Sequence, residues 1–149
     1  MVQRGRVAAT SHPAPYCRTS VLPHWLILVP VRSAFAHDAV LDMEPDADLT
    51  GPGGAVTLAL CGAFDHAPPC PVAPHYTGAE RRDGAVAVRV LFAAEAGREA
   101  EVRTRIDEAL AAGFCDGPDG TRTRWTYRGS APSVVTEAER AHARRLIDT

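Results

Sequence analysis

Two cysteines and two histidines share one proline-stiffened stretch, Cys61-Gly62-Ala63-Phe64-Asp65-His66-Ala67-Pro68-Pro69-Cys70-Pro71-Val72-Ala73-Pro74-His75. Cys61, His66, Cys70 and His75 read as C-x4-H-x3-C-x4-H. Thiolate and imidazole are the donors zinc prefers, and four of them close a tetrahedral structural site. Pro68, Pro69, Pro71 and Pro74 each fix φ and remove a backbone donor, so the segment is neither helix nor central strand but a rigid loop. The residue types therefore point to Zn2+ held by Cys61, His66, Cys70 and His75. Cys115, after the main helix, is a possible substitute ligand. The spacing lacks the tight C-x2-C or C-x4-C knuckle of zinc fingers.

Other chemistries use the same residues. Cys61 and Cys70 can form a disulfide or cycle as a redox pair. A zinc ion with three protein ligands, a water and a carboxylate such as Asp65 or Glu80 would make a metal-assisted hydrolase. A Cys61 or Cys70 thiol beside His66 would be a nucleophile. The plainest alternative is a buried cysteine acting as a small hydrophobe beside ordinary loop histidines. No H-E-x-x-H is present, and Gly51-Pro52-Gly53-Gly54 precedes an apparent strand, so it offers no helix N-terminus to a phosphate. These readings favour a small non-enzymatic binding or accessory domain, with another protein as its partner.

The elements that must position the loop follow from the hydrophobic pattern. Val56, Leu58 and Leu60 alternate with Ala55, Thr57 and Ala59, which predicts a strand ending at Cys61. Val86, Val88, Val90 and Phe92 alternate strictly and predict a second strand over 85–93. Val102, Ile106, Ala109 and Leu110 share one face of a helix over 97–112 closed by Gly113, supported by Glu99–Arg103 and Glu101–Arg105 pairs. Asp116-Gly117-Pro118-Asp119-Gly120 is a turn, and 121–128 reads as a third strand with Trp125 and Tyr127 on its core face. Arg122, Arg124 and Arg128 line the other face, with Arg89 on the same sheet, and read as a solvated face balanced by acids. Residues 129–133 read as a loop. Thr136 and Glu139 form a capping box for a last helix to Ile147. The fold class is α+β: a small three-stranded mixed sheet with two helices on one face, in the order β-loop-β-α-β-α.

Residues 1–42 are set apart by composition. All eighteen acids lie in 37–149, whereas 1–36 holds Arg4, Arg6, Arg18, Arg32 and four prolines. The segment reads as a disordered extension, or a translated leader ahead of Met43, with residues 43–149 as the single domain. The alternative is a signal peptide cleaved after Ala34-Phe35-Ala36, with the protein exported. That cleavage would leave His37 as a terminal residue able to bind copper through amine and imidazole.

The chain's 149 residues suffice for one domain with its own core. A net charge of −2 and a pI near 6.3 argue against nucleic acid as a partner. The apolar run over 21–31 is too short and broken to span a bilayer. The four cysteines fall to three without the first segment, an odd number for a disulfide framework, so the expected compartment is the cytoplasm.

Overall fold

The computed structural model describes residues 31–149. It is α+β, with one four-stranded antiparallel sheet, a two-stranded sheet and three helices. The elements are β1 (Arg32–Asp42), α1 (Thr50–Cys61), β2 (His75–Arg82), β3 (Ala85–Glu95), α2 (Glu99–Ala111), β4 (Phe114–Asp116), β5 (Arg122–Arg124), β6 (Thr126–Ser133) and α3 (Arg140–Ile147). The large sheet runs β2-β3-β1-β6. With α1 between β1 and β2, and α2 between β3 and β6, two split β-α-β units interleave in the ferredoxin-like arrangement.

The second predicted strand is β3, extended by two residues, and the long predicted helix is α2 with a 3-10 turn at Ala96–Arg98. Val102, Ile106 and Leu110 are its buried stripe. Gly113 follows with φ +80°. A Cβ there would meet the Trp125 carbonyl at 2.9 Å, so the position requires glycine on two counts. The predicted turn joins β4 to β5, and the Thr136–Glu139 capping box is present ahead of α3.

Several expectations are corrected, three of them in the elements themselves. The segment 55–60 is helix, not strand. Pro52, Ala55, Val56, Leu60 and Cys61 are its buried residues, a helical spacing, while Leu58 is exposed. Pro52 sits in the first turn, where a missing N–H costs nothing. The neighbouring glycines let the helix approach β4, β5 and β2: Gly51 faces Thr123, Gly54 faces Cys115, and Gly53 faces Thr77.

The second correction concerns 32–42, assigned above to the extension. This segment is β1, an inner strand paired with β3 over ten positions and with β6 on its other side. A chain beginning at Met43 would lack it, and cleavage after Ala36 would divide it. Residues 1–30 of the expected extension, with Cys17 and the four prolines, lie outside the described residues.

The third is the sheet itself, which has four strands and is antiparallel rather than three-stranded and mixed. The predicted strand 121–128 breaks at Trp125, whose N–H bonds back to the Gly113 carbonyl at 2.9 Å. The part before the break pairs with β4; the part after it runs through the predicted loop as β6, the edge strand beside β1. Pro132 is tolerated there because an edge strand has free positions.

Strand alternation gives the sheet two faces. Leu41, Ala39, Val86, Val88, Val90 and Phe92 face α1 and α2, and form the core with Val56, Leu60, Val102, Ile106, Leu110 and Trp125. Full burial of side chains of this size stabilises by about 1.5–3 kcal/mol each. The other face carries α3, which packs on β1 and β3 through Ala143. The helices therefore lie on both faces rather than one.

Two polar clusters fasten the layers. His37 of β1 is 2 % exposed. Its Nε2 lies 2.7 Å from Asp107 Oδ1 of α2, and its Nδ1 lies 2.9 Å from the Arg103 guanidinium, which also donates to the Ala36 carbonyl at 2.7 Å. Arg103 has no acceptor to offer, so Nδ1 accepts and Nε2–H donates to the carboxylate. Ser130 of β6 donates to the same carboxylate and accepts from the Tyr127 hydroxyl. His37 thus sits in a satisfied internal network, and the copper-binding terminal histidine does not describe it.

On the opposite face Arg89 donates to Asp38 at 2.8 Å, to both Glu139 oxygens at 2.5 and 2.7 Å, to Ser133 Oγ at 3.1 Å and to the Val134 carbonyl at 2.8 Å. One guanidinium therefore ties β3, β1, the end of β6 and the turn before α3. The expected single arginine face does not form: Arg122 and Arg124 lie on β5 in the small sheet, whereas Arg128 on β6 and Arg89 on β3 belong to the large one; Arg122 pairs with Asp116 and Arg128 with Asp42. Among the described residues no helix is long and apolar enough to cross a membrane.

Candidate metal centre

The Cys/His loop is anchored at both ends by regular structure. Cys61 is the last residue of α1, buried against the core, and Gly62 ends the helix in the left-handed conformation at φ +78°. His75 opens β2. Between them the Val72 N–H bonds to the Leu60 carbonyl at 3.0 Å, and the Ala93 N–H to the Pro74 carbonyl at 3.0 Å. The prolines leave few other donors, so these two bonds dock the returning half of the loop on α1 and β3.

Three of the four sequence-predicted ligands converge. One donor atom each from Cys61, His66 and Cys70 lie within 4.8 Å of one another. Cys61 Sγ is 2.9 Å from Cys70 Sγ, and Cys70 Sγ is 3.6 Å from His66 Nε2. Both cysteines are free thiols. A tetrahedral zinc with Zn–S near 2.3 Å and Zn–N near 2.05 Å sets S···N edges of about 3.5 Å and S···S edges of about 3.8 Å. The Cys70–His66 separation is already one such edge, whereas the sulfurs must part by about 0.9 Å.

His66 leaves one ring nitrogen free to act as a donor. Its Nδ1 lies 3.0 Å from the Ala67 carbonyl. A carbonyl only accepts, so Nδ1 carries the proton and the Nε2 lone pair is directed to Cys70. Metal-bound histidines are oriented by the same kind of backbone acceptor.

His75 stands beside the group rather than inside it. Its Nδ1 is 3.7 Å from Cys61 Sγ, close to a tetrahedral edge, but also 3.1 Å from the Ala73 carbonyl. Its Nε2 is 3.2 Å from Thr57 Oγ1 on α1. When Nδ1–H donates to Ala73, Nε2 accepts from Thr57. In the other tautomer Nε2–H donates to Thr57 and the Nδ1 lone pair faces Cys61. Burial lowers the His75 pKa, the Ala73 bond partly opposes this, and His66 lowers it further. The Cys61 thiol is pushed up to about 12, by burial first and then by its contact with Cys70.

Two other expected contributors are elsewhere. Cys115 is not a substitute ligand: its Sγ packs against Gly54, two turns of α1 or about 10 Å along the axis from Cys61. Glu80 lies on the β2 face opposite His75, pairs with Arg82, and points away from the loop. Asp65 is on the exposed outer part of the loop. Thr57, which orients His75, went unnoticed in the sequence because a residue on a predicted strand would not face a loop histidine. Its spacing of four from Cys61 becomes a signal only once 50–61 is read as helix.

The groove beside Arg89, about 480 Å3 and lined by Asp38, Val40, Tyr76 and Ala87, holds none of these donors. Arg89, Asp38 and Glu139 there are already paired with one another. No protein-family model, curated protein or solved structure matches this chain.

Proposed function

We propose that this protein is a small binding or accessory domain whose Cys/His loop holds a structural zinc ion. The observation that carries the reading is the convergence of Cys61, His66 and Cys70 within 4.8 Å, with His66 already in the ligand tautomer. Two thiolates and one or two imidazoles are a soft to borderline set, which suits zinc over magnesium or calcium. His75 completes the tetrahedron by exchanging its Ala73 contact for the metal while Thr57 holds its other nitrogen. The ion would clip the end of α1 to the start of β2 and fix the loop between them as a rigid surface for a protein partner.

Because the core is built mainly by α1, α2 and the sheet, with only Ala73 from the loop inside it and Val72 and Cys70 against it, the metal-free protein stays folded. Zinc then adds stability by mass action, about 4 kcal/mol when free metal exceeds its Kd a thousandfold. Each kcal/mol moves the melting temperature of a domain this size by about 2–8 °C. The experiment is a thermal melt of reduced protein with one equivalent of zinc and again with excess chelator. A rise of several degrees with zinc, lost in His66→Ala, is the expected result. Superimposable curves would overturn the reading.

A further inference from the structure

The two sulfurs at the proposed metal centre have a second possible outcome. Cys61 Sγ and Cys70 Sγ are 2.9 Å apart, between the bond of a disulfide at about 2.05 Å and the edge of a zinc tetrahedron at about 3.8 Å. Movement of less than about 1 Å in either direction reaches one or the other. The two thiols differ in access: Cys61 is 4 % exposed, on a helix packed into the core, whereas Cys70 is half-buried on the loop. The third described cysteine, Cys115, is held against Gly54 and Phe64, about 10 Å along α1.

We propose that the site is a redox-controlled metal switch, in which a two-electron oxidant of the peroxide class joins Cys61 to Cys70 and expels the ion. This rests on the reading of the loop as a metal site. The sulfur of Cys70, the less buried of the two, attacks one peroxide oxygen, the O–O bond breaks, and the departing oxygen leaves as water after taking a proton. Cys70 is now a sulfenic acid. The Cys61 sulfur attacks it, the S–O bond breaks, and a second water leaves as the S–S bond forms. Two thiolates, one hydrogen peroxide and two protons give one disulfide and two waters; the sulfurs lose two electrons and the peroxide gains them. A disulfide offers no thiolate, so the ion loses both anionic ligands and the two histidines cannot hold it alone. The released loop is then tethered to α1 by a covalent bond, and its surface changes with the redox state.

The experiment uses the full chain, reduced, loaded with one equivalent of zinc and treated with hydrogen peroxide. Zinc release is followed with a chromophoric chelator, and the cross-linked peptides are identified by mass spectrometry. The expected result is loss of the bound zinc together with a Cys61–Cys70 linkage, both reversed by a thiol reductant and re-added zinc. Cys115→Ser should behave like the wild type, while Cys70→Ser should form no linkage at Cys61. Zinc retained with both thiols still alkylatable would overturn the proposal, as would zinc release through sulfinic acid at Cys70 without a linkage. A chain that binds no zinc yet forms the same linkage would refute the metal reading itself, and the switch with it, while leaving a plain thiol pair.

Discussion

Replacing the glycines at the start of α1 by alanine, one at a time, should change stability in opposite directions. In a helix interior alanine is favoured over glycine by about 1 kcal/mol, through the lower entropy of the unfolded chain. At Gly53 the nearest atoms to an added Cβ belong to Thr77, at 3.6 and 3.7 Å, an ordinary contact. Gly53→Ala should therefore stabilise by about 0.5–1 kcal/mol. At Gly51 the Cβ would lie 2.6 Å from Thr123 Cγ2 and 2.7 Å from its Cβ. Thr123 is branched on a short strand and cannot swing away. Overpacking of this kind costs about 1–3 kcal/mol, more than the propensity returns. Gly54, with Cys115 Sγ at 3.1 Å and Phe64 Cε1 at 3.2 Å, lies between the two and should be near neutral. Urea melts followed by circular dichroism measure all three, with an unchanged slope confirming that only stability moved. Gly51→Ala more stable than wild type, or Gly53→Ala losing 1 kcal/mol or more, would refute the helix and its seat on β2 and β5.

The Arg89–Glu139 pair gives a pH dependence. Its hydrogen bonds to Arg89 hold the Glu139 carboxyl at about 2, below its ordinary 4.5. A depressed carboxyl stabilises the fold above its unfolded pKa and loses that contribution as pH falls through the folded value. Chemical melts between pH 5 and 2 should therefore show wild type losing more stability than Glu139→Gln; parallel losses would contradict the pairing. His37→Leu removes the hydrogen bonds to Asp107 and Arg103, which keep Ser130, and Glu99 with the Ala36 carbonyl, as partners, and should cost about 1–3 kcal/mol by urea melt. A loss below 0.5 kcal/mol would mean that the network does not fasten β1 to α2.

The elements legible in the sequence are those whose signal is local. Val86 to Phe92 alternate because β3 is an inner strand with one face on the core, and α2 shows its stripe because it lies on that core with its other side in water. α1 reads as a strand because its residues have two jobs. The Gly-Pro-Gly-Gly run that resembles a turn serves close packing against Thr123, Cys115 and Thr77, which are remote in sequence. β1 was missed because its core face carries His37, made tolerable by Asp107 and Arg103 some seventy residues away. β2 and β6 are edge strands with one polar side, so their alternation is weak. At the candidate metal centre the loop residues are legible as a pattern of donors. The place of His75 beside the group, the role of Thr57 and the remoteness of Cys115 depend on α1 being a helix, and are not.

If the loop binds zinc through its thiols, the bound metal must depend on Cys70. The direct test is elemental mass spectrometry of reduced wild-type protein and Cys70→Ser, both purified without a metal-affinity column. About one zinc per chain is expected in the wild type and almost none in the variant. No zinc in the wild type, or equal zinc in both, would contradict it.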